Sequence, residues 1–218
     1  MDKTEEYREI ARQLQKPTGE NGLQIAKFMN DGNELLNRNT IGELKLVPNA
    51  KVLEIGMGNG AFVHELFKIE PDLTNYGFDY SELMISEATK LNEYLVEQGK
   101  AIFTFGEAPN WPFTSNSFDA IFSVNTVYFW KDPQHMLNEI HSLLKPGGQL
   151  CLGLRPERLM INYPFVQYGF TTYTKDKLSQ EFLKAGYSHI RSEVVLEPPF
   201  EREGELLEVE SLVVCGVK

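Results

Sequence analysis

The sequence predicts an α/β protein: a doubly wound, seven-stranded, mostly parallel sheet with one antiparallel strand and helices on both faces. Three observations predict it. From Lys51 onward, short apolar runs alternate with stretches of helical period. A glycine-rich turn, Gly56-Met57-Gly58-Asn59-Gly60, joins the first run to the first of those helices. The last two runs, YSHIRSEVVLE and LLEVESLVVCGVK, have no helix between them, so they form a hairpin and reverse one strand.

The elements follow in order. Residues 1–46 carry no strand signal. Tyr7, Ile10, Ala11 and Leu14 recur at helical spacing, Pro17, Gly19 and Gly22 interrupt, and a second helical stretch covers roughly 23–45. This segment reads as a helical cap and substrate lid, and residues 47–218 as the domain that holds the sheet. KVLEIG is the first strand and AFVHELFKI its helix. LTNYGFDY is the second strand, followed by one helix, SELMISEATKLNEYLVEQG, capped by Ser81 and stopped by Gly99. AIFTFG and FDAIFSVN are the third and fourth strands. DPQHMLNEIHSLLKPGG is a helix whose Lys145-Pro146-Gly147-Gly148 ending turns the chain into QLCLGLR, the fifth strand. An aromatic loop over 155–173 leads to the helix KDKLSQEFLKAG. The linker PPFEREGE, inside the acidic stretch Glu193–Glu210, reads as a solvated turn of the closing hairpin.

Composition narrows the function. Apolar residues make up 42% and charged residues 24%, an ordinary globular mixture. A net charge of −10 argues against a duplex DNA partner, for which Lys and Arg supply most of the affinity. No apolar run is long enough to span a bilayer, so membrane insertion is not expected. The charged N-terminus has no signal-peptide core, which makes the cytoplasm the expected location. Histidines and cysteines show no ligand spacing, so no metal site is expected. Cys151 and Cys215 lie in apolar segments and read as buried free thiols.

Two features carry chemistry. The glycine turn stands between a strand and a helix, where it allows close approach of a ligand to the main chain, and the free amides of the helix start suit an anionic group. It lacks the Gly-Lys-Ser/Thr ending of a phosphate-cradling NTPase loop. Asp79 closes the second strand, beside the crevice of a doubly wound sheet, where a carboxylate accepts both hydroxyls of a ribose. A nicotinamide dinucleotide would satisfy both features equally.

Two further motifs separate the readings. They are Gly106-Glu107-Ala108-Pro109-Asn110-Trp111-Pro112-Phe113 with Ser117-Phe118-Asp119, and Leu144-Lys145-Pro146-Gly147-Gly148. With VLEIGMGNG and GFDYSELM before them, the chain over about 48–153 resembles the class I S-adenosylmethionine-dependent methyltransferases, in particular the small ubiquinone/menaquinone-type group. The resemblance implies a Rossmann-like fold, with 47–218 as the methyltransferase domain and S-adenosylmethionine as methyl donor, leaving as S-adenosylhomocysteine. It also implies roles for matching residues. Gly56, Met57, Gly58 and Gly60 line the methionine and ribose portion, and Glu54 orients the methionine ammonium. Asp79 binds the ribose, Tyr80 and Met84 flank the adenine, Glu107 and the Ala108 amide meet its edge, and Asn125 reaches the methionine end through its backbone. Met57 stands where the family often has Cys, and Glu107 where it usually has Asp.

The acceptor is expected above the C-terminal strand ends, bordered by Asn125–Trp130, by the aromatic loop and by the N-terminal segment, including Arg38 and Asn39. Tyr128, Trp130, Tyr163 and Phe165 are the candidate substrate-binding residues, and their aromatic character suggests an apolar or planar small molecule. His135, at the start of the helix after the fourth strand, is the candidate general base. Two other functions compete with methyl transfer to a small molecule: a nicotinamide-dependent oxidoreductase, and a noncatalytic S-adenosylmethionine-binding regulator.

Overall fold

The structure, a computed structural model, describes residues 2–202 and 205–218. Seven strands form one sheet: β1 (Lys51–Ile55), β2 (Thr74–Asp79), β3 (Ala101–Phe105), β4 (Phe118–Val124), β5 (Leu144–Leu154), β6 (Ser188–Arg202) and β7 (Glu205–Val217). Their order across the sheet is β3-β2-β1-β4-β5-β7-β6. The first five run parallel, and β7 is inserted antiparallel between β5 and β6. This is the predicted sheet, with its one reversed strand supplied by the hairpin.

Helices cover both faces because β1 is apolar on both sides. Leu53 and Ile55 join Phe78, Ile121, Leu137, Ile140 and Phe182 in one core, and Val52 joins Ile41, Leu66, Phe122 and Val213 in the other. Doubly buried strands of this kind belong to parallel sheets with crossover helices on each side. The helices are α1 (Lys3–Gln15), α2 (Gly19–Gly42), α3 (Val63–Ile69), α4 (Glu82–Leu91), α5 (Glu93–Glu97), α6 (Pro133–Leu143), α7 (Glu157–Met160) and α8 (Lys175–Lys184). The strand order reverses at β1, between β2 and β4. Chain ends therefore diverge there and leave a crevice above the strand termini.

Four expectations need correction. The helix predicted over 81–99 breaks at Asn92 into α4 and α5. The buried Asn92 amide donates to the carbonyls of Gly60 and Ala88, both at 3.0 Å, and so ties the break to the glycine turn. Lys145–Gly148 is an excursion inside β5 and not simply a turn before it: Leu144 pairs with Phe118, and pairing resumes at Gln149 with Ala120. Lys145 Nζ meets both carboxylate oxygens of Asp119, at 2.8 and 2.7 Å, and holds the excursion. The final hairpin is longer than predicted. Pairing continues past Pro198 and Pro199, which fall in an irregularity between Glu197 and Phe200, as far as Arg202 with Glu205. The cysteines are not free. Antiparallel pairing sets Cys151 directly opposite Cys215, Cα to Cα 4.2 Å, and they form a disulfide.

The N-terminal helices lie against the sheet domain by specific contacts. Gly153 in β5 lets Thr40 of α2 approach so closely that a Cβ would overlap the Thr40 hydroxyl. Arg155 Nη2 donates to the Gly32 carbonyl of α2 at 2.8 Å, while its Nη1 is paired with the buried Glu197. The linker between α1 and α2 is held at the far edge. The Tyr80 hydroxyl donates to the Gln15 carbonyl and the Ser81 hydroxyl to the Pro17 carbonyl, each at 2.6 Å. No helix among the described residues is long and apolar enough to cross a membrane.

Candidate functional site

A cavity of about 600 Å³ occupies the crevice above β1, β2 and β4. That volume falls in the usual range for sites that enclose a small ligand. Its floor is the β1–α3 turn. Gly56, Gly58 and Gly60 all adopt left-handed φ, at 68°, 57° and 66°, a region that side chains disfavour. Nothing lies within 4 Å of a Cβ built on Gly58, so the main chain there faces open space. Gly56 is closed off instead: a Cβ would overlap the Thr126 methyl. Gly60 does not line the cavity. It lies beneath it, where a Cβ would come within 2.9 Å of Asn92 Nδ2. Its role is thus to let the turn pack on α4, which spacing in the sequence does not distinguish from ligand contact.

Asp79 stands at the end of β2 and is 7% exposed. Backbone amides fix its carboxylate: Gly58 N donates to Oδ2 at 3.1 Å and Ser81 N to Oδ1 at 2.8 Å. Burial still prevails over these donors and pushes its pKa up to about 6. Glu54, two residues before Gly56 in β1, is 4% exposed. Burial, reinforced by the nearby Asp79 charge, pushes its pKa up to about 8. Both carboxyl groups line the cavity, so a bound cation would relieve the cost of ionising them.

The remaining candidates divide. Met57, Tyr80, Met84, Glu107, Ala108, Asn125, Trp130 and His135 line the same cavity. Gly106 packs edge-on to the Phe78 ring, where a Cβ would come within 2.5 Å, and so sets Glu107 and Ala108 at the cavity edge. His135 begins α6 at the rim, its backbone amide capped by the Asp132 carboxylate at 2.9 Å. Tyr128, Tyr163 and Phe165 do not line the cavity, contrary to expectation. Tyr128 is buried, and its hydroxyl donates to the Arg155 carbonyl at 2.9 Å and accepts from the Arg155 amide at 2.6 Å. Tyr163 and Phe165 stack on each other at 5.3 Å and pack on the core. Their apolar area is spent on closing the domain. Arg38 and Asn39 are likewise engaged elsewhere, with Glu34 and Glu65 and with Ser211.

Sequence reasoning set the N-terminal segment beside the cavity but named Arg38 and Asn39, not the residues that form its opposite wall. The α1–α2 segment contributes Leu14, Gln15 and Pro17, then Ala26, Met29, Asn30, Asn33 and Asn37 from one face of α2. The signal was present in the spacing of these positions, which recur at helical period on one side. No group of side chains suited to a metal ion occurs among the described residues.

Comparison with known proteins agrees with this geometry. Residues 53–152 match the family model described as a methyltransferase domain. An uncharacterized methyltransferase, YdaC, of Bacillus subtilis is 30% identical over 124 residues, which cover 57% of this chain and 66% of that protein. The ubiquinone/menaquinone biosynthesis C-methyltransferase UbiE of Desulfotalea psychrophila is 31% identical over 122 residues, covering 55% and 48%. Among solved structures, the complex between the Haloferax volcanii Trm112 methyltransferase activator and its methyltransferase matches with a TM-score of 0.74. At 20% identity over 89% of this chain and 93% of that one, it speaks to the fold alone. The matched region therefore spans about half to two thirds of these curated relatives. Residues 53–152 thus carry the pattern of a methyltransferase domain, and over that region the chain is similar to S-adenosylmethionine-dependent methyltransferases.

The residues present fit that methyl donor. Backbone at Gly58 is open to a ligand, Asp79 offers carboxylate oxygens that can accept from hydroxyl groups, and Glu54 is a buried acid with no hydrogen-bond donor on it among the described residues, free to accept from an ammonium.

Proposed function

We propose that the protein transfers the methyl group of S-adenosylmethionine to a small-molecule acceptor, by in-line displacement, in the cytoplasm. The single observation that carries this reading is the half-open cavity, with the glycine turn and paired acids on one wall and the N-terminal helices on the other. A crevice walled on both sides in this way suits a small acceptor better than a polymer. When bound, S-adenosylmethionine supplies a sulfonium methyl that needs neither metal nor covalent enzyme intermediate.

The chain's own residues bind and orient. Gly56 and Gly58 offer main chain to the methionine and ribose portion, with Met57 buried against Gly77 to hold the turn in place. Glu54 accepts from the methionine ammonium, and Asp79 from the ribose hydroxyls. Tyr80 and Met84 flank the adenine, Glu107 and the Ala108 amide meet its edge, and the backbone of Asn125 meets the methionine end. Trp130 and the α2 face enclose the acceptor and exclude water, so that positioning supplies much of the rate. His135, the one imidazole among the described lining residues, takes the proton of a hydroxyl acceptor. Residues 1–46 act as the substrate lid.

Calorimetric titration tests the reading. S-adenosylhomocysteine should bind one site per chain and NADH should not. Binding of NADH alone would overturn it in favour of an oxidoreductase. Bound S-adenosylhomocysteine, with no labelled product from any small-molecule extract, would favour a regulator.

A further inference from the structure

The α2 side of the cavity differs chemically from the side formed by the glycine turn. Asn30, Asn33 and Asn37 project from a single face of α2 into it. Asn37 is 7% exposed. Its Nδ2 donates to the Asn33 carbonyl at 2.9 Å, which fixes the amide plane and leaves Oδ1 without a donor among the described residues. The side-chain amides of Asn30 and Asn33 have no partner among the described residues either, although both residues are half-buried. The free polar atoms of these amides open onto the cavity, so a polar ligand can take up their hydrogen bonds while an apolar one would strand them.

This wall is rigid. Thr40, one turn beyond Asn37, is seated against Gly153, and its hydroxyl donates to the Leu36 carbonyl at 2.7 Å. On the other side of Asn33, the Gly32 carbonyl is clamped by Arg155. The amides are thus presented at fixed positions. Charge points the same way. Among the described lining residues Lys131 is the one formal cation, and it is exposed, against Glu54, Asp79, Glu107 and Asp132. Nothing on this wall would pay for burying an acceptor's carboxylate or phosphate.

We propose that the acceptor is an uncharged polar molecule bearing several hydroxyl or amide groups, read by Asn33 and Asn37 of the N-terminal helix. The proposal rests on the methyltransferase reading above and replaces the apolar, planar acceptor that the aromatic residues suggested. In the reaction the acceptor oxygen's lone pair forms the new bond to the methyl carbon. The carbon–sulfur bond breaks with its electron pair left on sulfur, and the hydroxyl proton passes to His135. Discrimination comes from the pairing rule: a site built to hydrogen-bond a hydroxyl rejects analogues that lack it far more strongly than an apolar pocket rejects an extra methylene.

The test uses the full chain with S-adenosylmethionine labelled in its methyl group and small-molecule extract divided into four pools. The pools are retained on an anion exchanger, retained on a cation exchanger, retained on a reversed-phase resin, or unretained by all three. Label should enter the unretained pool. Label entering only one of the retained pools would overturn the acceptor class while leaving methyl transfer intact. No label in any pool, with S-adenosylhomocysteine still bound, would overturn both. Asn37→Leu should lower kcat/KM with the unretained pool by about tenfold or more, with S-adenosylhomocysteine affinity unchanged. Unaltered kcat/KM would refute the assignment. A folded Asn37→Leu that no longer binds S-adenosylhomocysteine would overturn the assignment; should its circular dichroism show that it does not fold, the half-buried Asn33→Leu carries the same comparison.

Discussion

The two walls of the cavity are built from different materials. The sheet-side wall is largely main chain: Gly56 and Gly58 in left-handed conformations, with a carboxylate held by the amides of Gly58 and Ser81. The helical wall is side chain: Asn30, Asn33 and Asn37 on a helix whose backbone is already satisfied. A wall of main chain can be changed only by changing the fold, so it suits a ligand that never varies. A wall of side chains can be rewritten one residue at a time, so it suits the ligand that distinguishes one enzyme from another.

The strongest way to break this contrast is at Gly56. Valine there would meet the Thr126 methyl and force a β-branched residue to a φ of 68°. We expect Gly56→Val to abolish S-adenosylhomocysteine binding in calorimetry and to lower the melting temperature; retention of both would show that the turn is not the rigid half. Next is His135→Ala. Turnover should fall by about 10²-fold for a hydroxyl acceptor, with donor affinity intact, because His135 sits at the rim and supports no other described side chain. Unchanged turnover would remove it as the base.

Glu54 sharpens the contrast through pH. Its pKa is raised on folding from 4.5 to about 8. The unfolded chain therefore loses this proton first, and the stability associated with it is full below about 4.5 and is lost as pH rises towards 8. Asp79, raised from 3.8 to about 6, adds a fall of the same sign over its own lower window. Glu54→Gln should flatten the decline in ligand-free stability between these limits, measured by urea unfolding at several pH values. It should also weaken S-adenosylhomocysteine binding, since an amide cannot neutralise the ammonium. A decline as steep as that of the parent protein would refute this account of Glu54. The smallest effect is expected at Tyr128→Phe. Loss of the bonds to Arg155 should cost about 1 kcal/mol of stability, and acceptor kcat/KM should hold. A selective loss of transfer would return Tyr128 to the acceptor site.

What was legible in the sequence follows the same division. Strand–turn–helix alternation, the glycine turn and Asp79 are local features, written in consecutive residues, and each appears at its predicted place. The helical wall is different: periodicity marks one face of α2, but which cavity that face meets depends on how the helix lies on the sheet. Aromatic content drew attention to Tyr163 and Phe165, yet these pack on the core, and the amides of α2 face the cavity instead. The disulfide was missed for a related reason. Burial of Cys151 and Cys215 was legible, but their cross-strand pairing depends on the register of β5 with β7. At Asn92 a single buried amide overrides a continuous helical pattern, because it has carbonyls of two different segments to satisfy.

Tyr80 and Ser81 do double duty. Both follow Asp79 directly, and both hold the α1–α2 linker by its carbonyls, while the Ser81 amide steadies the Asp79 carboxylate. Whatever shifts Gln15 or Pro17 is therefore transmitted to the Asp79 carboxylate within two residues. A mutational scan of the linker would register as altered donor binding at a distance from any donor contact, and a tightly held nucleoside would in turn slow proteolytic clipping at that linker.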